Sequence, residues 1–220
     1  LLRSLRLSPQ EVSVLDAIFK TRLGQAHGAT ALDNETNLTT GTLDEFTFSW
    51  TAQIAGITIA LLRLHRSTGL PVATVDRCLS SFSVGEPPAA PVINLSSLRD
   101  LAQCLYLART LAVDAAAIAQ FQRSRLDDHK MSGWGNEPDV RSYYEEIFFP
   151  GRDGVLQTGP LVDGALSGTV EEALDDLAKG FRLSASRVQA LASSRGELSL
   201  ALDHGIIAGL HHRAVLIRAL

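Results

Sequence analysis

Apolar positions recur along most of this chain at the three- and four-residue spacing that places side chains on one face of a helix. The spacing is seen at Ile54, Ile57, Leu61 and Leu64, and again over residues 98–108. The alternation of apolar and polar residues that is typical of a half-buried strand is nearly absent. The pattern therefore predicts an all-α fold.

Capping residues mark where the predicted helices begin. In a capping box, a Ser or Thr side chain accepts a hydrogen bond from the backbone N–H three residues later, and the Glu at that position accepts one from the backbone N–H of the Ser or Thr. An Asn or Asp side chain at the helix start accepts one hydrogen bond from a backbone N–H of the first turn. The predicted capping boxes are Ser8 with Glu11, Thr42 with Glu45, Ser142 with Glu145 and Thr169 with Glu172, and the predicted single caps are Asn94 and Asp114.

Three of the predicted helices align on a shared arginine. Arg109 lies 43 residues after Arg66, and Arg218 lies 109 residues after Arg109. In this alignment the turn at residues 70–72 coincides with residues 113–115. Leu-Ser helix starts also recur near both ends of the chain. These repeats predict a helical-repeat, solenoid-like or layered array of long helices.

Proline- and glycine-rich stretches suggest how the chain is divided. The sequence predicts a helical unit over residues 1–84, a proline-rich linker over 85–91, a helical unit over 92–132, and a helical unit over 133–220 with loops at 133–138 and 150–168. The chain begins at Leu1 and ends within a helical pattern at Leu220, so we expect it to be a segment of a larger protein.

Composition excludes several classes of partner. With 20 Lys and Arg against 24 Asp and Glu, the formal charge of −4 leaves no basic excess to neutralise a phosphate backbone, so nucleic acid is not expected as a partner. The apolar runs are far shorter than the roughly 18 residues that cross a bilayer, so no membrane span is predicted. Cys78 and Cys104 lie among apolar residues, where free buried thiols are expected.

Three histidines near the C-terminus invite a metal interpretation. His204, His211 and His212 share a predicted helix, but His204 lies two turns from the others and no cysteine joins them, which is poor spacing for zinc. The glycine-rich stretch from 151 to 159 lacks the Lys-Ser/Thr of a phosphate-binding loop, and no nucleophile elbow is present. We therefore expect no metal, no cofactor and no enzymatic activity.

Trp134 stands between two glycines in a predicted loop. A large aromatic side chain in such a setting is either anchored in a neighbouring groove or exposed for a partner. The aromatic cluster over residues 143–149 follows at helical spacing, which favours a place in the core. Trp134 is then expected to close over that cluster.

Three stretches resemble a known family: residues 95–114, residues 142–150, and the run from 173 to 220. They are similar to recurrent helices of the A components of bacterial Tc insecticidal toxin complexes and of related plasmid virulence proteins. The resemblance implies a segment of the α-helical shell of a secreted or cell-surface homopentameric translocator, with other toxin-complex subunits as partners. A free-standing helical-repeat adaptor that binds a protein is the alternative, and a helical hydrolase is a third.

The resemblance also implies a shell that must open, and this bears on the histidines. Acidification through roughly pH 6.5 would charge imidazoles, and His211 and His212 would then repel each other and Arg213 if a neighbouring helix or subunit held them. The alternative is that all three project into water, where charging has little effect. His204, His211, His212 and Trp134 are the candidate pH-sensitive or interface residues.

Overall fold

The computed structural model describes residues 14, 17–18, 21–26, 52–82, 91–128, 141–150, 159–162 and 165–220. Within these residues the chain forms nine α-helices and no strand beyond one isolated bridge, so the predicted all-α fold is confirmed. The helices are α1 (Arg22–Ala26), α2 (Ala52–Thr68), α3 (Val72–Ser81), α4 (Leu95–Leu111), α5 (Ala115–Ala119), α6 (Tyr143–Phe148), α7 (Leu174–Phe181), α8 (Ala185–Ser193) and α9 (His204–Ala219).

The chain divides into two compact units. One comprises residues 1–101 with 131–140, and the other comprises residues 102–130 with 141–220. The division falls within α4, whereas the sequence suggested a proline-rich linker at 85–91, most of which lies outside the described residues. The predicted segments and the solenoid-like arrangement stay predictions.

In the first unit, α1 packs against both α2 and α3. The apolar faces of α2 and α3 bury Leu61, Leu62, Val75 and Leu79 almost completely, as the helical spacing predicts for α2. Asp76 is buried among them. Its two carboxylate oxygens accept hydrogen bonds from the backbone N–H groups at the start of α1, so a residue of α3 caps a distant helix.

The second unit is built around α7, α8 and α9. These helices contact one another, and α6 packs against α7. Two backbone hydrogen bonds, from Val170 N–H to Leu200 O and from Leu202 N–H to Gly168 O, tie the segment before α7 to the segment before α9. The largest side chains closed to water in this core are Tyr144, Phe181, Leu126, Leu177, Ile207 and Leu210.

Several predicted caps are confirmed. Ser142 and Glu145 form a full capping box at α6, the Asp114 carboxylate accepts from Ala116 N–H, and the Asn94 side chain accepts from Ser97 N–H at 2.9 Å. Both capping-box bonds also join Thr169 and Glu172. Residues 170–173 form turns, so α7 begins at Leu174 and not directly after Thr169. The boxes predicted at Ser8 and Thr42 lie outside the described residues.

A left-handed residue follows the C-terminal end of several helices. Gly69 follows α2 at φ 72°, Ala112 follows α4 at φ 51°, and Arg182 follows α7 at φ 54°. The residue after each of Ala112 and Arg182 donates its N–H to the carbonyl oxygen five residues earlier, from Val113 to Ala108 and from Leu183 to Ala178. This is the hydrogen bond of a Schellman motif. Ala112 and Arg182 thus hold a position that glycine adopts without strain.

Candidate functional site

His211 lies in the core of the second unit, on α9, with only 3% of its surface exposed. Its Nε2 atom lies 3.2 Å from the hydroxyl oxygen of Tyr143 on α6. The Nδ1 atom is buried and has no hydrogen-bond partner among the described residues. An imidazole in this position is a packed component of the core, with one of its two nitrogens satisfied.

Aromatic rings surround His211. The Tyr143 ring meets it edge-on at a centroid distance of 5.6 Å, and the Phe181 ring does so at 5.9 Å. Such edge-to-face arrangements are favourable for aromatic rings. The aromatic cluster predicted for the core is confirmed in this part, since Tyr143, Tyr144 and Phe149 are buried.

The charge state of His211 corrects the expectation drawn from the sequence. Burial, followed by the neighbouring charges of His212 and Arg218, lowers the pKa of His211 to about 3. Acidification to about pH 6 therefore leaves this imidazole neutral in the folded protein. His211 does not project into water, so the second alternative does not describe it. It is held against Tyr143 of α6 and Phe181 of α7, as the first alternative required, and the neighbouring charges that oppose its protonation are those of His212 and Arg218.

His212 takes a different position on the same turn. Its ring lies 5.0 Å from the Phe121 ring and is partly buried. Burial lowers the pKa of His212, a hydrogen bond with the Gln120 backbone opposes that shift, and the Arg213 charge adds to it. The Arg213 guanidinium meanwhile forms an ion pair with Glu197. The three consecutive residues thus have three separate environments.

His204 begins α9 behind the Asp203 cap, and its ring lies 6.1 Å from that of Tyr144. The structure does not bring it together with His211 and His212 as a ligand set. Within the described ranges, no group of three His, Cys, Asp or Glu side chains could hold a metal ion. Trp134 lies outside the described residues, so its predicted place over the aromatic cluster stays a prediction.

Cys78 and Cys104 are buried and carry thiols rather than a disulfide, as predicted. The Cys104 Sγ donates to the Ala115 carbonyl at 3.2 Å, which joins α4 to the start of α5. No described helix combines the length and the apolar character needed to cross a bilayer.

A cavity of about 380 Å³ adjoins His211 in the second unit, and no sequence motif indicates it. Its walls come from α5, α6, α9, the corner after α4 and the end of α7. The lining that matters chemically comprises Tyr143, Phe181 and His211 together with Lys179, Arg182 and Arg218. Lys179 and Arg182 lie three residues apart at the end of α7, and Arg218 lies near the end of α9, so the fold brings Arg218 to the other two. The sequence analysis used Arg218 only as a position in the repeat alignment and not as a site residue.

No protein-family model matches this chain, and neither a curated protein nor a solved structure does so. The functional interpretation therefore depends on the sequence resemblance and on the geometry of the two units.

Proposed function

We propose that this chain is a structural and interaction segment of the α-helical shell of a Tc-toxin-like A component. In this proposal it belongs to a secreted or cell-surface homopentamer and contacts its own copies and other toxin-complex subunits. The chain supports protein–protein association and carries no catalytic step.

The observation that carries the proposal is the exposure of large apolar side chains on long helices. On α4, Tyr106 is 70% exposed and Leu107 is 45% exposed. On α9, Leu216 and Ile217 are exposed in the same way. Scattered exposed apolar residues are ordinary, but adjacent pairs on two of the longest described helices are the kind of surface that neighbouring protein covers.

The all-α architecture also supports the proposal. Helices of 17 residues such as α2 and α4 expose broad side faces on which further helices can pack, and helix-on-helix packing is the way in which all-α assemblies grow. The exposed pairs lie on such faces. A shell segment would bury them against adjacent segments or subunits.

A first test reads the gene around this segment. A very large open reading frame that also encodes β domains and a channel-forming region supports the shell proposal. A stop codon soon after Leu220 overturns it and favours the free-standing helical-repeat adaptor.

A second test changes the exposed pair in the full-length protein. The double variant Tyr106→Glu, Leu107→Glu places two charges where the proposal needs apolar contact, so the pentamer fraction in native mass spectrometry should fall at least fivefold. Gln189→Glu adds a charge at an exposed polar position of a different helix, α8, and should leave assembly unchanged. Full assembly of the double variant would contradict a shell interface on this face.

A further inference from the structure

Helices α2 and α3 form one helix pair, and α4 and α5 form a second pair of the same construction. The first helix is 17 residues long in both, and α4 begins 43 residues after α2. The same spacing separates Gly69 from Ala112, the left-handed residues that follow these two helices. It also separates the start of α3 from the start of α5. Each pair is therefore a long helix, a left-handed corner and a second helix in one register.

Helix α9 begins like the first helix of such a pair. It starts 109 residues after α4, which is the offset at which the shared arginines align. Its Asp203 cap accepts a hydrogen bond from the backbone N–H three residues later, as the Asn94 cap of α4 does. In this register Leu220 corresponds to Leu111, so the left-handed corner falls on the residue after Leu220.

One position of the first helix meets the corner in both complete pairs. On α2 this is His65, whose Nδ1 atom lies 2.7 Å from the carbonyl oxygen of Leu70. On α4 it is Ala108, which accepts a hydrogen bond from Val113 N–H and is only 7% exposed. The corresponding residue of α9 is Ile217, and it is 37% exposed. An apolar side chain of α9 thus lies uncovered at a position that the corner covers on α4.

The distribution of apolar residues on α9 leads to the same position. They lie on all sides of this helix, which is typical of a helix surrounded by protein. The structure provides that cover as far as Val215, which is buried together with Ala214. The large apolar side chains of α9 and its end that are exposed all belong to the last turn: Leu216, Ile217 and Leu220. Covering this turn would complete the burial of α9.

We propose that the last turn of α9 is the docking surface of a short helix like α3 and α5, joined to α9 through a left-handed corner. The occupant is the part of the same polypeptide that follows Leu220, so this inference rests on the proposal that the chain belongs to a larger shell protein. The corner covers Ile217 and leaves Leu216 exposed. Leu107, which corresponds to Leu216, is 45% exposed beside the complete corner of α4.

The coding sequence beyond Leu220 gives the first test. The register predicts Gly, Asn or Ala directly after Leu220, a helix-capping Pro, Asp, Asn, Ser or Thr two residues later, and then apolar residues at helical spacing. A long reading frame that lacks this corner and helix overturns the inference and leaves the shell proposal standing. A stop codon at this point overturns both.

Thiol labelling tests the contact itself. Ile217→Cys is compared in the chain that ends at Leu220 and in the same chain extended by about 15 of its natural residues, enough for a corner and a short helix. Cys78 and Cys104 are buried, so they contribute little background. The labelling rate of the introduced thiol should fall roughly tenfold on extension, because the corner closes this position to water.

Leu216→Cys is the matched control, and its labelling rate should change less than about twofold on extension. Unchanged labelling of Ile217→Cys, or equal protection of both positions, overturns the inference. Protection of Ile217→Cys that rises with the concentration of the shorter chain also overturns it, because a second copy would then be the occupant. Both side chains are exposed, so the variants should fold, and a circular dichroism spectrum identical to that of the parent verifies this.

Discussion

The Tyr143 hydroxyl and His211 Nε2 lie 3.2 Å apart in a buried contact that joins α6 to α9 across 68 residues of sequence. The two groups share one hydrogen bond, in which either the hydroxyl or the Nε2–H is the donor and the other atom is the acceptor. The bond therefore satisfies one of the two imidazole nitrogens. The second nitrogen is buried without a partner in the described residues. Protonation would place a charge in this apolar site, so the folded structure favours the neutral ring.

This relationship predicts that acidification destabilises the second unit. The pKa of His211 is about 3 in the folded state, against 6.5 as its ordinary value, so between these pH values the unfolded state binds the proton and the folded state does not. The stability contribution is fully present above pH 6.5 and is lost as pH falls. The free energy of unfolding should decrease by up to about 1.4 kcal/mol per pH unit in this window.

Urea denaturation followed by circular dichroism at several pH values between 7.5 and 4 measures the slope. His211→Gln removes one of two histidines whose pKa is lowered and should reduce the slope, and the part that remains comes from His212. Tyr143→Phe keeps the buried imidazole and should retain most of the slope, because burial is the largest cause of the lowered pKa. A slope in His211→Gln equal to that of the parent would show that other groups cause the loss.

Local signals in the sequence were sufficient for the caps but insufficient for His211. The capping box at Ser142 involves residues three positions apart, so its bonds follow from local chemistry. The environment of His211 depends on which face of α9 meets α6 and α7, which is a tertiary property. The sequence His211-His212-Arg213 is strongly polar, and nothing in it indicates that the first member packs among aromatic rings.

The cavity illustrates the same limit. Lys179, Arg182 and Arg218 each lie near a helix C-terminus, where a basic residue is favoured by the helix dipole. From sequence alone that local explanation is complete. Their convergence on one cavity follows from packing of α7 against α9, which periodicity does not specify.

In the first unit, Asp76→Asn should be strongly destabilising. The two Asp76 oxygens accept from Arg22 N–H and Leu23 N–H, each at 3.2 Å. Asparagine replaces one acceptor by an NH₂ group that would face another donor, so we expect a loss of about 1–3 kcal/mol. Hydrogen exchange at the amides of α1 should accelerate with it.

Asp114→Asn is the matched control for that substitution. Asp114 is an exposed N-cap that accepts from Ala116 N–H through one oxygen, and asparagine is an equally good N-cap residue. Its stability should stay within about 0.5 kcal/mol of the parent. Equal losses in the two variants would contradict a special role for the buried Asp76 carboxylate.

Two helical glycines should respond to alanine in opposite directions. A Cβ at Gly180 on α7 would lie 2.6 Å from Phe148 Cε1, whereas one at Gly209 on α9 would meet nothing within 4 Å. Gly180→Ala should therefore destabilise the protein by about 1–2 kcal/mol through overpacking. Gly209→Ala should stabilise it by about 0.5–1 kcal/mol, because alanine is the better helix former. Thermal unfolding measures both, and stabilisation of both variants would show that α7 is not held against Phe148.

The left-handed corners predict a second pair of opposite effects. Ala112 at φ 51° and Gly196 at φ 69° each follow a helix, with an N–H of the next residue bonding five residues back. A Cβ at Gly196 would meet nothing within 4 Å, so its conformation alone opposes a side chain. Ala112→Gly should raise the free energy of unfolding by about 0.5–1 kcal/mol, and Gly196→Ala should lower it by a similar amount. Urea denaturation at pH 7.5 compares the two. If Ala112→Gly destabilised the chain, the greater freedom of glycine in the unfolded state would outweigh the relief of strain at that corner.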